Sequence, residues 1–541
     1  MNFSPLDLIV FFTYCFIILG IGLWIANRKG LQDSEGYFLA GKSLPWWAIG
    51  TSLIAANISA EQMIGMSGSG FAIGLAIASY EWMAALTLIL VAKFMLPIFL
   101  KRNIYTMPQF LESRFDERVR ISLAIFWIVV YIFVNLTSVL YLGALSLKTI
   151  MGIELIYGII GLATFSAIYT VYGGLKAVAW TDVVQVIFLV GGGLLTTYLA
   201  LSALGNGAGP IVGFSELLAA APEKFNLILD KAHPYYYELP GLSVLLGGMW
   251  VANISYWGFN QYIIQRALAA KNIMEAQRGL MFAGYLKILM PLIVVVPGIA
   301  AYGLGADILR PDEAYPWLLD NFVMSGLRGL AFAALIAAIA SSLSSMTNST
   351  STIFTLDIYK TFFNQHASEK KLVKVGRISS FIAIFLAVLV APLLSTLDQA
   401  FQFIQEFTGF ISPGVVAIFL LGLFWKKATS NGALWAAILT IPLSFGFKWL
   451  TPTLPFLDRM GLVFLILCAV IVVISLIEGR KAAEEAAEDA EISDEVVVKD
   501  GVKTNPKAVY YEKSWFHTDA SFNIGSIGIC AILAVLYIIF W

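Results

Sequence analysis

A run of polar side chains inside an apolar stretch is the first place in this chain where chemistry could be done. Within TSLIAANISAEQMIGMSGSGFAIGLAIASYEW, from Thr51 to Trp82, Asn57, Ser59, Glu61 and Gln62 fall near the middle. Gly65, Gly68, Gly70 and Gly74 follow, and Glu81 opens a second apolar run. In hydrocarbon every backbone N–H and C=O must be satisfied within the protein, so such a break belongs where it lines a cavity or packs on protein. Ionisable groups at that depth point to a functional site. A helix end with an interhelical polar contact is the alternative, since small and polar residues also hold membrane helices together.

Two other stretches carry similar signals. Lys287 sits in the apolar run GYLKILMP, where an unpaired ammonium is expensive, so a partner such as Glu81 or a backbone carbonyl is expected. SSLSSMTNSTS, beginning at Ser341, concentrates hydroxyls in a span that has no carboxylate until Asp357. Ser341, Ser344 and Ser345 are spaced i, i+3 and i+4 and share one helical face. Their alternative is a small-residue helix interface with hydroxyls bonded back to the helix.

The elements that must position these residues are membrane helices. The chain has 541 residues, 59% hydrophobic and 13% charged, with mean hydropathy +0.81; a soluble domain carries about 25% charged residues. Apolar runs near the ~20 residues needed to cross a bilayer recur along it, which makes it an all-α polytopic protein with the lipid bilayer as partner. Its net charge of −1 gives no sign of nucleic acid, and none is expected as a partner. Cys15, Cys468 and Cys530 each lie in an apolar run and form neither a disulfide framework nor a metal site, and His233, His366 and His517 fall near loops.

About fourteen spans are expected, near residues 6–26, 44–75, 76–100, 121–147, 153–172, 181–204, 242–266, 279–303, 328–358, 376–395, 399–424, 432–450, 457–477 and 522–541. Asp7 precedes the first and Arg28 and Lys29 follow it, the reverse of a signal peptide, so that span is read as retained. One set of loops collects Arg28, Lys29, Lys42, Lys101, Arg102, Arg114, Arg118, Arg120, Lys176, Arg266, Lys271, Arg278 and the basic residues of 360–377 and 426–427. By the positive-inside rule that set is cytoplasmic, and both termini are external. Residues 205–241, with Pro210, Pro222, Pro234 and Tyr235-Tyr236-Tyr237, form an external loop with short interfacial helices. Residues 479–515, with RKAAEEAAEDAEISDE, form an acidic cytoplasmic linker whose start can extend the preceding helix.

Ala56-Asn57-Ile58-Ser59 recurs as Ala252-Asn253-Ile254-Ser255. A shared tetrapeptide is weak alone, but each copy lies in a polar-interrupted span and five spans separate their starts. A five-plus-five inverted repeat would place both breaks at the membrane centre, where transporters of that design bind substrate. The expected organisation is an extra helix and cytoplasmic loop (1–43), a first repeat (44–204), the external loop (205–241) and a second repeat (242–425). Additional helices (426–478), the acidic linker (479–515) and a C-terminal helix (516–541) follow.

Long blocks carry a resemblance: YFLAGKSLPWWAIGTSLIAANISAEQMIGMSGSGFAIGLAIASYEW (37–82), YGGLKAVAWTDVVQ (172–185), GMWVANISYWGFNQYIIQR (248–266), AALIAAIASSLSSMTNSTSTIFTLDIYK (333–360) and QAFQFIQEFTGFISPG (399–414). The chain resembles the sodium/solute symporter family over nearly its whole length, most of all its bacterial sodium/glucose-galactose members. The resemblance implies a LeuT-like inverted-repeat fold, a bacterial inner membrane and sodium as the coupling ion.

The resemblance also implies sites. Gln62, Glu81, Asn57, Asn253, Lys287 and Gln405 match positions that bond sugar hydroxyls, and Tyr256 matches the aromatic that stacks on the ring and blocks inward exit. Met66, Tyr80 and Phe401 match an external gate. Sodium is expected at the carbonyls of Ala55, Ile58 and Ala338 and the hydroxyls of Ser341 and Ser342. Asp182 with Ser341, Ser344 and Ser345 marks a second sodium site of the kind some members have, unless Asp182 pairs with Lys176 at the interface. Position 84 is Ala where the pattern has a hydroxyl residue, which removes one sugar contact.

The expected activity is sodium-coupled uptake of a small neutral sugar. A symporter of the same fold for an inositol, a sialic acid, proline or a vitamin is the nearest rival. A non-transporting sugar sensor would need a signalling domain that 479–515 is too short to supply. An enzyme would need a nucleophile–base pair or metal cluster that the scattered histidines do not form. The sequence carries no signal of oligomeric state.

Overall fold

The computed structural model describes residues 4–27, 33–324, 326–396, 406, 408–492, 509 and 512–541. Among them the secondary structure is helical apart from one β-bridge between Leu44 and Ala270. Ten helices among the described residues are long and apolar enough to cross a membrane. Fewer emerge than the sequence suggests, for local reasons given below.

Helix α1 (Pro5–Ala26) starts from a capping box, with Ser4 accepting from the Asp7 N–H and Pro5 supplying a helical φ at the first position. Asp7 Oδ1 also accepts from the N–H groups of Gly326 (2.7 Å) and Gly329 (2.8 Å), so it caps the helix that starts at Leu327. The first polar-interrupted span divides into α2 (Trp46–Asn57), a wide turn over Glu61–Met66, and α3 (Ser67–Ala72). Between them Ile58 is extended (φ −80°, ψ 109°), and the helical ladder stops there. Next come α4 (Leu75–Lys101) and α5 (Glu117–Lys148).

Residues expected as two spans form one helical run, α6 (Leu155–Leu204), broken at Gly174 (φ 55°, ψ −158°). A Cβ at Gly174 would lie 2.4 Å from the Tyr37 carbonyl oxygen, so only glycine fits. Tyr37 donates its hydroxyl to the Val171 carbonyl at 2.9 Å, satisfying an acceptor beside the break. The 205–241 loop holds α7 (Pro210–Ala220). Beyond α7, Lys224 Nζ donates to the carbonyls of Phe71 (3.0 Å) and Ala72 (2.7 Å) and so covers the C-terminal end of α3.

The second interrupted span divides into α8 (Gly248–Ile254), a wide turn over Ser255–Phe259, and α9 (Gln261–Leu268). The chain leaves the helix at Asn260 (φ −76°, ψ 122°), beyond the repeated tetrapeptide: Ala252–Ser255 is helical. The repeat therefore sits at the break in its first copy and about a helical turn before it in its second. Then follow α10 (Ile273–Gly303), α11 (Leu327–Phe363), α12 (Glu369–Leu394) and α13 (Ser412–Phe424), the last too short to span by itself. The remaining elements are α14 (Ser430–Leu450), α15 (Phe456–Ile492) and α16 (Ala520–Ile539). The Ala/Glu run extends α15 to Ile492, as its composition allows.

Burial orders these helices. The most apolar window of α11 is 94% buried, against 22% for α1 and 17% for α16. α11, the hydroxyl-rich helix, is thus the inner one, packed against α6, α1, α12 and α2. Its alanines and serines let neighbours approach closely, which is how membrane helices associate without a hydrophobic driving force.

Candidate functional site

Both breaks open onto one cavity of about 130 Å³. Its lining includes Asn57, Gln62, Met66, Tyr80, Glu81, Asn253, Tyr256 and Lys287, every substrate and gate candidate that lies among the described residues. Gln405 and Phe401 lie outside them. Ala84 lines the cavity too, so the missing hydroxyl falls where a contact was expected.

The cavity is wired by hydrogen bonds between distant elements. Lys287 Nζ, on α10, donates to Glu81 Oε2 on α4 and to Asn57 Oδ1 at the end of α2, and lies 5.0 Å above the Trp257 ring. The ammonium thereby finds the partner its apolar surroundings require. Asn57 Nδ2 donates to the Tyr256 hydroxyl at 3.0 Å, which also accepts from the Tyr262 hydroxyl at 2.7 Å. Tyr256 is thus fixed across the cavity between the two broken spans. Gln62 Oε1 accepts from the Ser59 N–H and Oγ, both at 2.9 Å, tightening the turn after the first break. Asn253 Nδ2 donates back to the Met249 carbonyl at 3.1 Å.

Several lining residues had no role assigned from sequence. Glu61 Oε1 is buried without a hydrogen-bond partner among the described residues, and its side chain lines the same cavity. The polar run that flagged Gln62 contains it, so the signal was present. Tyr131 was invisible: its hydroxyl donates to Asn260 Oδ1 at 2.5 Å and accepts from the Gln261 N–H at 3.0 Å, closing the second break. Nothing in the local sequence pairs residues 131 and 260.

At the first break the unwound backbone meets α11. Ser342 Oγ donates to the Ala56 carbonyl at 3.1 Å and reaches the Ile58 carbonyl at 3.5 Å. Ala55, Ile58 and Ala338 are fully buried beside it. Ser341 Oγ donates to Asp182 Oδ1 at 2.5 Å. The oxygen-only chemistry here suits a hard monovalent cation. Among the described residues no three His, Cys, Asp or Glu side chains group as transition-metal ligands.

The second ion candidate is changed by a residue counted among the cytoplasmic charges. Arg266, on α9, is fully buried; its Nη2 lies 3.0 Å from Asp182 Oδ2, its Nε donates to Ser52 Oγ at 2.6 Å, and it also donates to Ser345 Oγ. Ser52 donates to Asp182 Oδ2 at 2.5 Å. Ser344 and Ser345 bond back to the Ser341 carbonyl (2.9 and 2.6 Å). Asp182, Ser341 and Ser345 are brought together, but the cation among them is a guanidinium, and Lys176 is not the partner of Asp182. This network joins α2 and α9, one half of each broken span, to α6 and α11.

Comparison with known proteins gives a consistent picture. The model of the sodium:solute symporter family matches residues 37–440. A sodium/glucose cotransporter from Vibrio parahaemolyticus is 52% identical over 99% of this chain and 98% of its own. A sodium/myo-inositol cotransporter 2 from Oryctolagus cuniculus is 34% identical over 82% of this chain and 70% of its own. Among solved structures, a Na+-coupled sialic acid symporter in a substrate-bound outward-open state superposes with TM-score 0.77 at 24% identity, over 88% of this chain and 98% of that one. That likeness establishes the shared fold.

Proposed function

The chain belongs to the sodium:solute symporter family, and from that premise we propose that it couples inward sodium movement to uptake of a neutral sugar of the galactose or glucose type. The observation that carries this is the convergence of Asn57, Gln62, Glu81, Asn253, Tyr256 and Lys287 on one cavity at two helix breaks. A hexose needs several donors and acceptors around its ring and an aromatic surface for its less polar face, and these residues supply both. The relative named as a sodium/glucose cotransporter supports the substrate class.

Charge favours a neutral solute over an acid. Lys287 spends its ammonium on Glu81 and Asn57, and Glu61 adds a carboxyl without a partner among the described residues. An anionic sugar would meet a cavity with no free counter-charge among the described residues. A neutral polyol such as an inositol meets no such penalty and is the second solute to test, as the relatives named for myo-inositol suggest.

Transport then proceeds by alternating access. Sodium at the carbonyls of Ala55, Ile58 and Ala338 and the hydroxyls of Ser341 and Ser342 holds α2 against α11 and completes an outward-facing pocket. Sugar binding lets Met66, Tyr80 and Phe401 close outside; sodium release loosens the first break, and Tyr256 moves aside to free the sugar inward. Coupling requires each ligand to favour the same state by differential affinity. The membrane potential adds about 2.3 kcal/mol per charge per 100 mV to the driving force. Arg266 beside Asp182 supports one sodium per cycle over two.

The fourteen crossings of this design are assigned to the ten long helices, the second half of α6, the two broken spans and α13. Two five-helix repeats lie within residues 44–204 and 242–425, in a bacterial inner membrane with both termini external.

Labelled galactose uptake into proteoliposomes, comparing wild type with Gln62→Ala and Ser342→Ala under an inward sodium gradient, tests the assignment. Accumulation lost in both variants supports both sites. Wild-type uptake of inositol without galactose would move the substrate assignment, and unchanged uptake in Ser342→Ala would remove the ion site.

A further inference from the structure

We propose that α16, the last helix, sets the geometry of the Glu81–Lys287 pair, and that Tyr537 is the positioning residue through which it acts. This rests on the assignment of Glu81 and Lys287 to the sugar site. α16 is the most lipid-exposed of the long helices, with Ile524, Ile527 and Ile538 each about 70% exposed or more. Its buried face, however, is matched to two specific neighbours.

Along α10 the contact is continuous. Arg278 Nε donates to Asp519 Oδ2 at 2.9 Å, and Asp519 Oδ1 caps α16 by accepting from the Phe522 N–H at 2.9 Å. Tyr285 donates its hydroxyl to the Gly525 carbonyl at 2.8 Å. A Cβ at Gly528 would lie 2.4 Å from that hydroxyl, and Ile529 Cδ1 fills the space over Gly284, 2.8 Å from where a Cβ would stand. Met281 lies over Gly525, where a Cβ would meet its sulfur. Residues 278, 281 and 285 on one helix and 525, 528 and 529 on the other thus recur at three- and four-residue steps, and each set is one face.

Farther along, α16 meets α4. Tyr537 donates its hydroxyl to Ser79 Oγ at 3.1 Å, and its ring stands edge-on to Trp82 with centroids 5.8 Å apart at 70°. Trp82 Nε1 in turn donates to the Ile288 carbonyl at 3.3 Å. Glu81 lies between Ser79 and Trp82, and Lys287 precedes Ile288. Both members of the charge pair are therefore held through adjacent residues that Tyr537 touches directly or through one indole. The helix is pinned at its end, where the Leu227 N–H donates to the Phe540 carbonyl at 2.8 Å and the Phe225 and Phe540 rings lie 6.0 Å apart.

The test compares wild type, Tyr537→Ala, Tyr537→Phe and Ile538→Ala, the last on the lipid face, in reconstituted full-length protein. Sodium-driven galactose uptake gives half-saturation and maximal rate, and hydrogen exchange without sugar reports on residues 79–90. Tyr537→Ala is expected to raise the sugar half-saturation about three- to tenfold, the scale of one aromatic contact, while keeping the maximal rate and speeding exchange around Ser79–Trp82. Tyr537→Phe, which keeps the ring, recovers most of the affinity, and Ile538→Ala matches wild type. Wild-type half-saturation with unaltered exchange in Tyr537→Ala overturns the proposal, as does an equal loss in Ile538→Ala. If wild type takes up no galactose, the sugar assignment fails, while the exchange data still decide whether Tyr537 holds this segment.

Discussion

Arg266 and Asp182 face each other at 3.0 Å with neither side chain open to solvent, joining two segments 84 residues apart in the chain. Their pairing offsets a large desolvation cost only because Ser52, Ser341 and Ser345 complete the hydrogen bonding.

Removing one partner leaves the other buried and unpaired. Arg266→Ala is expected to destabilise the protein by about 3–5 kcal/mol, read as a large fall in Tm in detergent. Replacing both, with Arg266→Met and Asp182→Leu, should recover much of that loss. A double variant no better than Arg266→Ala would show that the pair does not act as a unit.

The Lys287–Glu81 pair makes a different prediction, because its members also line the cavity. Lys287→Met strands Glu81 and frees Asn57, so sugar uptake should fall by about tenfold or more, the scale of one lost charge-assisted contact. Sodium binding measured without sugar should change much less. Equal losses in both would place Lys287 in the scaffold and not the sugar site.

Tyr256 separates ring from hydroxyl. Tyr256→Phe keeps the stacking face but releases Asn57 and Tyr262, and should leave sugar half-saturation within about threefold of wild type. Tyr256→Ala should raise it by about tenfold or more. Similar values for the two variants, by labelled-sugar uptake, would deny the ring a role.

Asp312 lies in the loop over α3, outside the spans. Burial pushes its carboxyl up to about 6, with Arg310 opposing and Glu313 adding to the rise. Because this value is above the ordinary 3.8, the folded state holds the proton more tightly than the unfolded one. The charge therefore costs stability above pH 6 or so, and the cost is relieved as pH falls through about 6 toward 4. Asp312→Asn should raise Tm at pH 7.5 and remove that part of the pH dependence. A variant with a wild-type pH profile would contradict this.

How much of this was legible follows from distance along the chain. Asn57, Glu81 and Lys287 betrayed themselves as polar groups in apolar runs, and the need of Lys287 for a partner pointed to Glu81. Arg266 did not: at the end of a polar-interrupted span it counts as a cytoplasmic charge, and only the fold turns it inward onto Asp182. The two apolar runs either side of Gly174 were readable, but not their fusion into one helical run, because Tyr37 supports that break from far away in sequence. A break in the 242–266 span was expected, but its position at Asn260 was not legible, since Tyr131 bonds Gln261 across 130 residues.

The measurement that bears most directly on the central claim is simultaneous flux of labelled sodium and labelled galactose into proteoliposomes. Coupled transport with Arg266 beside Asp182 predicts that each ligand accelerates entry of the other, at about one sodium per sugar, and that Ser342→Ala abolishes both accelerations. Galactose entry at the same rate under a matched potassium gradient would contradict it.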